Sequence, residues 1–294
     1  VTVWVPASLA GLALVLTGPV PVLLAGWRAL RRTPRAAMTL WQCVALAAVL
    51  AALGSGASLV TLLVLGDREP TWWGWVLAGA SALVTIVVLA RLLLSGHLEG
   101  TGLRAARRRH RALVDVLAER RGGVAVIDAE VPVAYCVPGL TGSRVVVSAA
   151  AMERLASDEL DAVLAHERAH LRARHDLVLE AFGVLHRAFP RYVSSAAALR
   201  EVSLLVEVLA DAAAVRRVGR VPLLRALQAL AGTARPVATL GAGGQLAERA
   251  QLLAGPAPSV RDQVRVVVAY ALAAAVLVLP TVLVVQPWVT GLLR

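Results

Sequence analysis

Four apolar stretches, each long enough to cross a bilayer, constrain this chain more than anything else in it. Lipid offers no water to an unpaired backbone, so such stretches must become helices. They cover about Val3 to Trp27, Ala36 to Leu65, Trp73 to Ser95 and Val264 to Val289. Pro19 and Pro21 predict a bend in the first, and Gly54-Ser55-Gly56 a softening of the second. Trp72, Trp73, Trp75 and Trp288 fall where interfacial aromatic anchors belong. The first stretch has no basic leader and is too long for a signal peptide, so it reads as a span. A hydrophobic fraction of 58% and a mean hydropathy of +0.71 exclude an ordinary soluble globule.

Charge divides the chain. Up to residue 96 the only charged side chains are Arg28, Arg31, Arg32, Arg35, Asp67, Arg68, Glu69 and Arg91; most of the others lie between Glu99 and Arg265. The expected organisation is a three-helix membrane region (1–98), a water-facing domain (99–262) large enough for its own core, and a fourth membrane helix (263–294). The net charge of +11 comes from arginine alone. No basic stripe is interleaved with aromatics, so the arginines read as membrane flanks and no direct nucleic-acid partner is expected. The basic segments Arg28–Arg35 and Arg104–Arg111 place the first loop and the water-facing domain in the cytoplasm, with both chain ends on the other side. Cys43 in a span and Cys136 in the domain read as reduced thiols.

Within the domain, periodicity predicts a helix over Arg104–Glu119 and strands over Val124–Ile127, Val131–Val137 and Arg144–Ser148. A helix capped by Ser157 then runs on, breaks near Arg172–His175 and resumes towards Pro190. A further helix covers Ser194 to Val218, and Gly232–Ser259 reads as a loosely packed connection.

The Ser157 helix carries His166-Glu167-Arg168-Ala169-His170. Residues four apart share a helix face, so both imidazoles can reach one metal ion, while Glu167 sits about 100° round, beside a water on that metal. A catalytic zinc site needs three protein ligands and one open position. The best third ligand is Glu207, a carboxylate in the otherwise apolar run Val202 to Leu209, where it is costly unless paired or metal-bound. Asp211, one turn on, is placed to accept from a ligating histidine. Glu201 is the rival ligand, in a poorer context beside Arg200. His175 reads as a supporting or surface histidine, or as a group that could occupy the open metal position and hold the site latent. Tyr135 reads as strand packing, with oxyanion donation as the alternative.

The strand pair Ala134–Gly139 and Val145–Ser148, the run Leu160–His170 and the downstream Glu207-x-x-x-Asp211 together resemble the membrane gluzincins, which include the HtpX-type and CAAX-prenyl proteases. The arrangement looks closest to BlaR/MecR-type metallopeptidases, with three spans before the catalytic domain and one after. The continuation His170-Leu171-Arg172-Ala173-Arg174-His175-Asp176 is similar too. That group carries a penicillin-binding sensor domain after the fourth span, which this sequence does not include, so antibiotic sensing does not carry over. The resemblance implies a mainly α membrane protein of bacterial origin, with a cytoplasmic α+β zincin-like domain inserted between the third and fourth helices. It implies a zinc endopeptidase with His166, His170 and Glu207 on the metal, Glu167 as general base and Asp211 behind a ligand. An extended substrate would pair with an edge strand near Tyr135 or Val145. The expected partners are a protein substrate such as a winged-helix repressor, the lipid bilayer, and a second copy of the chain as a candidate homodimer. The alternatives are HtpX-like quality control of membrane proteins and a non-catalytic signalling scaffold, against which the presence of Glu167 argues.

Overall fold

The computed structural model describes residues 4–64, 71–139, 142–189, 195–230, 242–257 and 259–292. In chain order the elements are α1 (Trp4–Thr17), α2 (Pro19–Gly26), a 3-10 turn (Arg28–Arg32), α3 (Pro34–Val64), α4 (Trp72–Leu117), β1 (Glu119–Arg121), β2 (Val124–Ile127), β3 (Ala134–Val137) and β4 (Arg144–Ser148). They continue with α5 (Ala149–Arg154), α6 (Ser157–Ala173), α7 (His175–Ala188), α8 (Ser195–Val218), α9 (Arg220–Ala229), α10 (Ala242–Ala254) and α11 (Val260–Leu292). Contacts divide the chain into two units, one of residues 1–97, 184–199 and 259–294, the other of 98–183 and 200–258.

The first unit holds helices long and apolar enough to cross a membrane: Trp4–Gly26, Pro34–Val64, the apolar part of Trp72–Leu117, and Val260–Val285. The first is interrupted at Gly18, after which Pro19 opens α2, where its missing N–H costs nothing. The Gly54-Ser55-Gly56 triplet does not soften α3, which runs unbroken through it. It is instead a packing point. A Cβ on Gly54 would lie 2.6 Å from Val284 Cγ2, Ser55 Oγ donates to the Pro6 carbonyl (3.2 Å), and the Gly56 carbonyl accepts from Ser81 Oγ (3.2 Å). Small residues let helix backbones approach where apolar burial supplies no drive. Only 6% of the most apolar window of α4 is buried, a surface suited to lipid, and Trp72, Trp73 and Trp75 are exposed at its start. Arg91, the charge within the third stretch, donates through Nε and NH2 to the Ala188 carbonyl (3.0 and 2.8 Å).

The second unit is a sheet of order β1-β2-β4-β3 between helices. β2 and β4 are parallel; β1 and β3 pair antiparallel on the two edges. Two expectations are corrected here. The helix predicted over Arg104–Glu119 is the end of α4, because no proline separates it from the apolar stretch. It stops at Leu117, and Glu119–Arg121 form β1, returning to β2 through Gly122 and Gly123, both at positive φ (57° and 80°). The strand predicted from Val131 begins at Ala134. One sheet face packs Ala125, Val137 and Val146 on Val114 of α4; the other packs Val145 and Val147 against Leu155, Val163, Leu164 and Ala226. Beyond α6, Ala162 and Ala165 meet Ala214, Leu223, Leu227 and Leu253, so the small residues of α6 bring α8, α9 and α10 close.

Two caps fix the register of the site helix. Ser148, fully buried, accepts through Oγ from the N–H groups of Val133 (3.0 Å) and Ala151 (3.1 Å), tying β4 to the start of α5. The N-cap of α6 is Ala156, one residue before the expected Ser157, and Glu159 reaches back to accept from its N–H at 3.1 Å. Ser148→Ala removes the acceptor of two N–H groups, that of Ala151 buried and that of Val133 half-buried. It is expected to cost about 2 kcal/mol, read as a lower unfolding temperature of the purified protein with the membrane helices unchanged.

Candidate metal centre

His166 and His170 lie one turn apart on α6 with their Nε2 atoms 3.1 Å apart. Glu207 of α8 comes to meet them: Oε2 is 3.6 Å from His166 Nε2, and Oε1 is 3.6 Å from His170 Nε2. A donor atom from each of the three falls within 4.8 Å of the others. For metal–ligand bonds of 2.0–2.1 Å, a tetrahedron has edges of about 3.3 Å. Separations of 3.1 and 3.6 Å straddle that value. Two imidazoles and a carboxylate are also the donor chemistry zinc accepts, so the residues fit the ion.

Each candidate ligand is held from behind. Asp211 Oδ1 lies 2.9 Å from His166 Nδ1, within hydrogen-bonding distance of the ring. His170 turns Nδ1 towards Nδ1 of His175 at 3.1 Å. That places His175 behind His170, and it is not one of the three grouped donors. Glu207 accepts from NH1 of Arg249 at 2.7 Å, while the same guanidinium grips Asp211 through Nε (2.8 Å) and NH2 (2.6 Å).

Arg249 is the functional residue that sequence reasoning missed. The segment Gly232–Ser259 was expected to be a loose connection; residues 231–241 lie outside the described ones, but Ala242–Ala254 form α10. α10 delivers Arg249, 2% exposed, between two carboxylates of α8. The available signal was helical spacing of Leu246, Arg249 and Leu253, followed by Gly255 as a stop.

The electrostatics follow from this crowding. Burial disfavours a charged His166, but the carboxylates of Asp211 and Glu207 outweigh it and raise the ring to about 9. Burial, then the His166 charge, drive His170 down to about 3. Burial alone would raise the Glu207 carboxyl, yet the His166 and Arg249 charges hold it below the usual carboxylate range.

Glu167, half-buried on α6, stands outside the donor triangle. Burial and then the nearby Glu167 carboxylate push the Cys136 thiol well above its usual value, which places the inner face of β3 beside Glu167. Strand alternation turns Tyr135 the other way, where its hydroxyl lies 3.1 Å from His110 Nε2 in the cluster against α4. Tyr135 therefore packs the strand rather than facing Glu167. Glu201 is buried six positions before Glu207, on another face of α8, and is not in the donor set.

Residues 104–270, more than half of the chain, match the model of peptidase family M48, and the chain belongs to that family. The class defined by sequence, fold and donor set is thus a metallopeptidase carrying apolar helices suited to a membrane. No curated protein and no solved structure matches the chain.

Proposed function

We propose that this protein is an integral membrane zinc endopeptidase, with its catalytic domain (99–262) in the cytoplasm, cutting a repressor-like cytoplasmic protein in regulated proteolysis. The observation that carries the hydrolytic reading is the donor triangle of His166, His170 and Glu207 with Glu167 next to it on the same helix. The BlaR/MecR resemblance supplies the regulatory part. The positive-inside distribution of arginine supports the sidedness, with 1–98 and 263–294 in the bilayer.

A zinc ion there would supply a Lewis acid, lowering the pKa of water from nearly 16 towards about 7 and polarising the scissile carbonyl. Glu167 takes the proton from the attacking water and returns it to the leaving amine. Asp211 and His175 orient the two imidazoles, and Arg249 holds the Glu207 carboxylate. An extended substrate pairs with β3, an edge strand; β4, which carries Val145, is bonded on both sides and has no free edge. Charge substitutions along β3 that leave cleavage unchanged would count against this docking.

The M48 match favours a second reading, since HtpX-type quality-control proteases belong to that family. The full-length protein in detergent decides between outcomes. About one zinc per chain is expected in wild type and none in His166→Ala, with cleavage by wild type alone. Absence of zinc from wild type removes the metallopeptidase mechanism. Cleavage of one cytoplasmic repressor supports regulation, and broad cleavage of unfolded membrane proteins supports quality control.

A further inference from the structure

We infer that Arg107 of α4 is a positioning residue for His170, acting through Asp176 and His175. The inference rests on the reading of His170 as a metal ligand. When an imidazole gives its Nε2 lone pair to a metal, Nδ1 keeps the proton, and the acceptor of that proton sets the orientation and basicity of the ring. For His170 the facing atom is His175 Nδ1 at 3.1 Å, placed to accept that proton.

His175 is not held by a regular helix interior. It is the first residue of α7, directly after Arg174, which ends α6 in the left-handed conformation (φ 51°) that an arginine rarely adopts. The start of α7 is fixed by ion pairs on the following residues. Asp176 receives Arg107 NH1 at 3.2 Å and the Arg174 guanidinium at 3.2 and 3.4 Å. Glu180, one turn further on, receives the same Arg107 nitrogen at 3.4 Å, with Arg104 at 3.8 Å. These carboxylates are largely buried, with side-chain exposures of 9% for Asp176 and 15% for Glu180, so the pairs are better shielded than ordinary surface ones.

Arg107 thus clamps two successive turns of α7 to α4. Arg174, by contrast, sits on the same hinge it would have to brace, and Arg104 meets Glu180 at 3.8 Å. Without Arg107 the first turn of α7 can shift, and the proton acceptor of His170 shifts with it.

The test measures zinc affinity of the full-length protein by chelator competition, in wild type, Arg107→Ala, Arg107→Lys, His175→Ala and the double variant Arg107→Ala/His175→Ala. Arg108→Ala, at an exposed neighbour, is the control, and thermal unfolding of the same samples monitors folding. His175→Ala is expected to weaken zinc binding by about 10–100-fold, the usual effect of removing a ligand's outer partner. Arg107→Ala should weaken it about 10-fold with partial recovery in Arg107→Lys, Arg108→Ala should not differ from wild type, and the double variant should bind no worse than His175→Ala alone. Should Arg107→Ala unfold, Asp176→Asn replaces it in the same cycle. Wild-type affinity in a folded Arg107→Ala, or losses that multiply in the double variant, would overturn the inference while leaving the metal site standing. Absence of zinc from wild type would overturn both.

Discussion

Glu167→Gln is expected to lower peptide hydrolysis by about 10²–10⁴-fold, the range a positioned general base contributes, with zinc still bound. Glutamine keeps the shape and the half-buried placement of the side chain on α6 but cannot take a proton. The donor triangle of His166, His170 and Glu207 does not include Glu167, so metal content should remain at the wild-type level. The loss should fall on kcat rather than KM, because the carboxylate acts on the attacking water and not on the bound peptide. Metal content and steady-state cleavage of one peptide substrate, measured on the same preparation, check both halves. Undiminished cleavage would remove Glu167 from the chemistry. Loss of zinc would make it part of the ligand set instead.

The second large effect is expected at Arg249. Arg249→Ala removes a guanidinium that reaches both Glu207 and Asp211 while leaving the two carboxylates in place. Breaking a buried pair in this way costs about 3–5 kcal/mol, because the remaining charge keeps its desolvation penalty and loses its partner. Arg249 and Asp211 are each about 2% exposed, so water cannot take over. The penalty should be largest in chelator-treated protein, since a bound dication can supply part of the missing positive charge. Thermal unfolding with and without chelator reads this out: the zinc-dependent rise in unfolding temperature should be larger in Arg249→Ala than in wild type. An unfolding temperature unchanged from wild type in the chelated protein would show that the two carboxylates do not depend on Arg249.

The two effects differ in how visible their residues are in the sequence. His166 and His170 stand out because helical phase is a local property: Asp158 and Glu159 at one end, and apolar residues at three- and four-residue spacing, define the face on which both must lie. Glu207 stands out for an energetic reason, as a carboxylate in an apolar helix that asks for a partner. Arg249 has neither mark. On an amphipathic helix in a Gly- and Ala-rich segment it looks like any surface arginine, and its partner Glu207 lies 42 positions away. The same holds for Tyr135 and Cys136. Alternation says that they face opposite ways, but only the packing of β3 between α4 and α6 decides that the cysteine faces Glu167 and the tyrosine faces His110.

The corrections in the fold have the same origin. The three-residue β1 is too short to show a period of two, and it forms because Gly122 and Gly123 can turn the chain back onto β2. The sheet order makes β3 an edge and β4 an interior strand, which no reading of either segment alone could rank. The sequence by itself determined the apolar helices, the His166–His170 face and the need for a partner at Glu207, because hydrophobic length, helical phase and the cost of a buried charge act within a segment. Only the tertiary structure decided which cation holds Glu207, what stands behind His170 and which strand edge is open, because those depend on distant segments meeting at distances of about 3 Å, where hydrogen bonds and ion pairs have their strength.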